Sequence, residues 1–218
     1  MPKRELLGMV RCLQSAGYML SPSVREAMLG VDRGCFVPAQ ERELAYTDNA
    51  LPVGHGQTIS APGVVAFMLE KLGVGMGMKV LDVGTGSGYN CALLAELVGP
   101  KGKVISIDIV PELVELAKSN IRRAGKEYPN LEFVCGDGSC GYGNGAPYDR
   151  IIVTAAMPSF SASHPLAAQL KPDGKLVAPV GGYFYQDLIV YDKKSGRIEP
   201  VLPVMFVPLV GECGFPEK

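Results

Sequence analysis

Val80-Leu81-Asp82-Val83-Gly84-Thr85-Gly86-Ser87-Gly88-Tyr89 decides the reading of this chain. An apolar run carrying an acid leads straight into a loop with glycine at every second position. Gly84, Gly86 and Gly88 permit positive φ and put no side chain between a ligand and the backbone. Residues 90–98 then read as a helix. A second apolar strand, V-I-S-I-D, ends in Asp108, twenty residues past Gly88. Strand, glycine loop, helix, strand and terminal acid make a nucleotide-type site in which the acid can hold a ribose diol.

Downstream of this motif, strands predicted over 79–83, 103–108, 131–135, 150–154 and 175–179 alternate with helices over 90–98, 111–124 and about 164–170. That alternation signals a parallel sheet covered on both faces. The end differs: 187–192, a K-K-S-G turn, 197–200 and 204–210 read as antiparallel strands. Upstream, Leu6, Met9, Val10 and Leu13 predict an amphipathic helix over 6–18. Ser21 and Pro22 read as the cap and first residue of a helix to about Val31, and 40–46 as a short third helix. Residues 47–60 show no period and read as a loop anchored by Leu51, Val53 and Ile59; 61–72 is again helical. The expectation is one compact domain in two regions, a helical cap with its loop over 1–78 and a Rossmann-like core over 79–218.

Apolar residues make up 47% of the 218, enough for a sizeable core, and the net charge is −1 with no basic run, which gives no electrostatic case for nucleic acid. The six cysteines include no C-x-x-C pair and no matching histidine pair, so no metal site is expected and buried reduced thiols are. M-P-K-R-E starts no secretory leader, since Arg11 and Gln14 interrupt the following run, and no stretch approaches the roughly 20 apolar residues of a membrane span. A soluble, cytoplasmic, monomeric protein is expected.

A dinucleotide loop is G-x-G-x-x-G, but here Tyr89 takes the third glycine position and Gly88 falls one place early. This argues against a nicotinamide dehydrogenase. The form G-x-G-x-G behind an acid is the one used in class I methyltransferases, where the loop approaches the methionine part of S-adenosylmethionine; an ammonium there gives Asp82 a partner. Their version of the doubly wound fold is likewise parallel for five strands and finishes antiparallel. Ligands in open α/β sheets bind beyond the carboxyl ends of the strands, which adds Gly136-Asp137-Gly138 and Thr154-Ala155-Ala156. Asp137 can accept a hydrogen bond from an adenine amine or serve an ordinary Asp-Gly turn. The fourth strand lacks the N/D-P-P-Y of amine methyltransferases, which favours an oxygen nucleophile.

Y-T-D-N-A-L-P-V-G-H-G-Q-T-I-S over 46–60 resembles the signature loop of protein-L-isoaspartate O-methyltransferases. The glycine loop, G-D-G at 136–138, V-T-A-A at 153–156, Q-L-K at 169–171, L-V-A-P-V-G at 176–181 and F-V-P-L at 206–209 follow in that family's order. The resemblance implies methyl transfer from S-adenosylmethionine to the free α-carboxylate of L-isoaspartyl residues in damaged proteins. The residues it marks around the cofactor are Thr58, Ile59, Asp82, Gly84, Thr85, Gly86, Ser87, Gly88, Asp108, Ile109, Asp137, Gly138 and Thr154, with Ser60 catalytic. On its own spacing Ser60 also reads as the N-cap of the next helix, and the two roles are compatible because a helix N-terminus is an anion site. Asp48 reads as a loop-ordering acceptor and His55 as an exposed loop residue. The chain departs from the family's pattern at 157–165 and at Met205, where a basic residue is common, and both departures bear on peptide preference. Two further readings share the scaffold: a small-molecule carboxyl methyltransferase, separable by isoaspartyl against aspartyl peptides, and a non-catalytic cofactor-binding module, separable by binding without turnover.

Overall fold

The computed structural model describes residues 3–216; the leader reading at Met1 and Pro2, and the outer ends of both expected regions, lie outside the described residues. Helix α1 (Arg4–Ser15) buries Leu6, Met9, Val10 and Leu13, the positions whose spacing predicts it. Helix α2 (Pro22–Gly30) opens on Ser21, whose hydroxyl accepts the Val24 amide. The same hydroxyl donates to Glu70 Oε1 at 2.8 Å and ties α2 to α3 (Pro62–Leu72). The helix expected over 40–46 is a 3-10 stretch, Ala39–Leu44.

The 47–60 segment has more structure than its sequence suggests. β1 (Leu51–Gly54) and β2 (Gln57–Ile59) pair antiparallel, with Leu51 and Val53 buried and Pro52 and Gly54 facing out. His55 and Gly56 turn the hairpin with φ of +52° and +69°, the double positive-φ geometry that matches strand twist. The alternation was too short to register as a period.

The remaining elements are β3 (Lys79–Val83), α4 (Tyr89–Val98), β4 (Lys103–Asp108), α5 (Pro111–Arg123), β5 (Leu131–Cys135), β6 (Tyr148–Val153), α6 (Pro165–Ala168), β7 (Leu170–Gly181), β8 (Gln186–Asp192) and β9 (Arg197–Val204). The sheet runs β5-β4-β3-β6-β7-β8-β9, parallel as far as β7 and antiparallel beyond it. This is the expected α/β fold: Rossmann-like, doubly wound and mostly parallel, with seven strands and a helical cap. Successive strand residues feed opposite cores, Val80 and Ile152 one face, Leu81 and Ile151 the other. The chain winds outward from β3 to β5 and returns to β6 on the other side of β3, which opens a crevice at the carboxyl ends.

Three expectations fail here. The helix over 164–170 is only four residues long, because the Gln169 carbonyl accepts the Tyr148 amide and the chain enters β7 at Leu170. The strand expected over 204–210 is absent beyond Val204: β8 begins at Gln186, opposite Val204, and offers no further partner to the chain. Instead the chain leaves the sheet and brackets Ala156, whose amide bonds the Val207 carbonyl and whose carbonyl accepts the Leu209 amide, each at 2.8 Å. Finally, buried reduced thiols describe Cys91 but not the rest. Cys140 and Cys213 form a disulfide across 73 residues, and Cys12 and Cys135 are exposed. Pairing of that kind depends on tertiary contacts that spacing does not reveal. In the chain-entropy description a closure of this length is worth about 4 kcal/mol. Among the described residues, no helix is long and apolar enough to cross a membrane.

Candidate active site

At the carboxyl ends of β3, β4 and β6 lies a cavity of about 340 Å³, within the roughly 300–1,000 Å³ of small-molecule sites. Its first wall is the glycine loop. The Gly84 amide bonds the Ile107 carbonyl, the Gly88 amide bonds the Thr85 carbonyl, and the Gly86 amide bonds Asp108 Oδ2, all at 2.9 Å. A Cβ at Gly84 would stand 2.6 Å from Thr154 Oγ1 and one at Gly88 2.8 Å from the Ala117 Cβ, whereas at Gly86 nothing stands within 4 Å. The outer glycines therefore let β6 and α5 approach, and the middle one leaves the backbone open on the cavity side. Thr154 lines the cavity but gives its hydroxyl to the Gly84 carbonyl at 2.7 Å.

Asp108, only 8% exposed, is the one charged side chain among the cavity-lining residues. Its two oxygens accept the Gly86 and Val110 amides, and each retains a further acceptor site. Ile109 and Gly138 line the cavity nearby, as do Thr85 and Ser87.

Two acids from the sequence reading stand outside the wall. Asp82 is fully buried, accepting from Asn90 Nδ2 at 2.8 Å and from Ser106 Oγ at 2.7 Å, and Ser106 continues to Thr85 Oγ1. Burial pushes its carboxyl up to about 7 against those two hydrogen bonds, and the charge of Asp108 adds to the rise. Asn90, which sequence reasoning missed, lines the cavity in its place. Asp137 is exposed; its carboxylate accepts the Ser139 and Glu212 amides, each at 2.8 Å. Partial burial works against its ionisation, but the Glu212 and Ser139 amides prevail and hold it below the usual range. Its turn also ties down the C-terminal segment.

The second wall is formed by Gln57, Thr58, Ile59 and Ser60 together with Val207, Pro208, Leu209 and Val210. The capping expectation for Ser60 is corrected. Ala61 is the N-cap of α3 and Pro62 its first residue, so Ser60 sits one position too early. Asp48 takes that task from a distance, its Oδ1 accepting the Gly63 amide at 2.7 Å. Ser60 Oγ, half-buried, makes no hydrogen bond among the described residues. His55 is exposed on the hairpin turn and does not line the cavity.

Arg33 fixes this wall from behind. It is fully buried without a carboxylate partner among the described residues, and its guanidinium donates to the carbonyls of Ala45 at 2.5 Å, Asn49 at 2.9 Å and Ser60 at 3.2 Å. Its Nε has no partner among the described residues, and burial lowers its pKa from the ordinary value. Nothing in V-D-R-G-C-F distinguishes this arginine from a surface one.

An open sheet of this order, a glycine loop at its first strand and an acid ending the second define a class I methyltransferase. The family model for protein-L-isoaspartate(D-aspartate) O-methyltransferase matches residues 4–214, and the chain belongs to that family. A protein-L-isoaspartate O-methyltransferase of Methanothrix thermoacetophila is 49% identical over 95% of this chain and 97% of its own length. That of Hyperthermus butylicus is 50% identical over 96% and 90%. Among solved structures, one protein-L-isoaspartate O-methyltransferase superposes with a TM-score of 0.84 at 30% identity, covering 96% of this chain and 67% of that one. A Plasmodium falciparum structure assigned to the same activity, in complex with S-adenosyl-L-homocysteine, gives 0.81 at 27% identity over 93% and 97%. The chain is an S-adenosylmethionine-dependent enzyme that methylates isoaspartyl residues of proteins, and the dehydrogenase reading is set aside.

Proposed function

We propose that the 84–88 loop holds the amino-acid end of S-adenosylmethionine, Asp108 its ribose, and Ile109 and Gly138 its adenine, with Thr58 and Ile59 also against the cofactor, while Ser60 receives the isoaspartyl carboxylate. The fit of the donor set supports this: an open backbone at Gly86 and a lone anion facing a cationic ligand. Asp82 acts through Asn90, and Asp137 through the segment it pins.

When bound, S-adenosylmethionine supplies a methyl group already activated on a sulfonium. The chain's own residues then have a limited task. A substrate α-carboxylate with a reference pKa of about 3.5 is ionised at neutral pH, so no general base is required. Ser60 Oγ donates a hydrogen bond to one carboxylate oxygen and holds the other toward the methyl group. The two walls keep water out and the reacting atoms in line, so that catalysis is mainly positioning. The methyl ester afterwards collapses to a succinimide, which reopens partly to normal aspartate.

The observation that carries the reading is that the 57–60 segment, β2 and the residue after it, and the glycine loop line one cavity. Methyl incorporation into an isoaspartyl peptide, with its aspartyl isomer as control, tests it. Ser60→Ala is expected to lower kcat at least about tenfold, as loss of a positioning contact does, with an unchanged melting temperature because Ser60 caps nothing. An unchanged kcat would remove Ser60 from the mechanism. We also infer a cytoplasmic monomer without a membrane partner, one compact domain made of a cap region and a Rossmann-like core, and no nucleic-acid partner, the last supported by the net charge of −1.

A further inference from the structure

Phe184 is 93% exposed, Tyr185 65% and Met205 66%, and none of them lines the cavity. They share one end of the sheet: Gln186 pairs with Val204 at the limit of β8 and β9, so Tyr185 and Met205 are the next residues on either strand. The turn that carries them is built rather than loose. A Cβ on Gly181 would run into the Tyr185 carbonyl, so the chain reverses tightly there. The Tyr183 ring stands 4.7 Å from that of Phe215. Gln186 accepts the Phe206 amide at 2.6 Å and donates to the Phe206 carbonyl at 3.0 Å. That clamp joins the turn to the active site, because Val207, the next residue, begins the second wall.

Exposed apolar groups gathered on a fixed rim mark an interaction surface. The occupant follows from the reaction. An enzyme that methylates isoaspartyl residues of proteins admits a polypeptide to its cavity, and the flanking residues of that polypeptide must cross the rim. We propose that Phe184, Tyr185 and Met205 form a ledge that docks an apolar side chain of the substrate polypeptide, a few residues from the isoaspartyl position. The path from Tyr185 through Gln186 and Phe206 to Val207 is on the order of 10–15 Å, which an extended peptide spans in three or four residues. Asp187, which accepts the Tyr185 hydroxyl at 3.1 Å, makes the ledge unfavourable to an acidic side chain at that distance.

The inference rests on the isoaspartyl reading of the cavity, and its test separates the two. Isoaspartyl peptides carrying Leu, Ser or Glu three and four positions to either side of the isoaspartate are assayed with wild type and with the Phe184→Ser/Met205→Ser double variant. Wild type is expected to show a KM roughly five- to tenfold lower for the Leu peptide than for the Ser peptide, and the highest KM for the Glu peptide. The double variant is expected to lose the Leu advantage while keeping kcat, its KM for the Ser peptide, its melting temperature and its affinity for S-adenosylhomocysteine. Equal KM for the Leu and Ser peptides in wild type, or a Leu advantage retained by the variant, overturns the ledge alone. Methylation of none of the peptides overturns both the ledge and the reading beneath it.

Discussion

On one side of the cavity, the 84–88 loop is fixed by its immediate surroundings: the strand it leaves, the helix it enters, the Ile107 carbonyl and the Asp108 carboxylate of the neighbouring strand. On the other side, residues 57–60 are fixed from a distance by single side chains acting on backbone, Arg33 on the Ala45, Asn49 and Ser60 carbonyls and Asp48 on the Gly63 amide. The first wall spreads its support over many backbone bonds that any doubly wound sheet supplies. The second has the short β1–β2 ladder and the backbone bonds of Val207 and Leu209 to Ala156, and beyond these it relies on two side chains. The wall proposed to receive the damaged peptide is thus the more fragile to single changes, and also the more readily retuned.

The sharpest way to break the contrast is Arg33→Met. It orphans one buried and two partly buried carbonyls, and stability is expected to fall by about 1–3 kcal/mol, with KM for peptide rising more than the dissociation constant for S-adenosylhomocysteine. Chemical unfolding and isothermal titration read both, and equal losses on the two ligands would mean that the walls are not separately supported. Asp108→Ala breaks the other wall. It removes an anionic acceptor of two amides and of the proposed ribose, so cofactor affinity is expected to fall about 100-fold, roughly 2.7 kcal/mol. Isothermal titration decides; affinity within threefold of wild type would exclude Asp108 from the cofactor site.

Asp82 gives a pH handle on the same wall. Its folded pKa of about 7 lies above the ordinary carboxylate value. Its contribution to stability is therefore full below the unfolded pKa near 4 and is lost as pH rises through 7. Between pH 5 and 8 this amounts to about 2–3 kcal/mol. Asp82→Asn removes that slope, because Ser106 can turn to accept from the new amide and donate to Thr85. Parallel pH profiles of unfolding free energy for both proteins would refute the assignment. The smallest effect is expected for Asp48→Ala, about 1 kcal/mol from a lost helix cap. Its loss should be confined to hydrogen-exchange protection of β1, β2 and the first turn of α3.

The same contrast explains what could be read from residues alone. Strands β3, β4 and β5 fall on their predicted limits because each is a short apolar run between turn residues, and the glycine loop carries its own conformational signal. Ser60 could be placed on the wall only through a likeness of motif, since Ser-Ala-Pro by itself spells a cap. Asp48 was legible as an acceptor of backbone amides though not its partner Gly63, while Arg33 and the crossing of 207–210 beside Ala156 were beyond reach, each being a contact between segments far apart in sequence. The disulfide at Cys140 and Cys213 belongs with them.

One consequence concerns the enzyme's own exposure to the lesion it acts on. Asp137-Gly138 is a dipeptide in which the glycine nitrogen meets little steric resistance to attacking the preceding side chain. Cyclisation there needs a protonated carboxyl, whose hydroxyl can depart, and freedom for that carboxyl to swing onto the nitrogen. Two backbone amides deny both, keeping the group anionic and turned toward Ser139 and Glu212. The fold thereby shields its own aspartyl-glycyl bond from ageing.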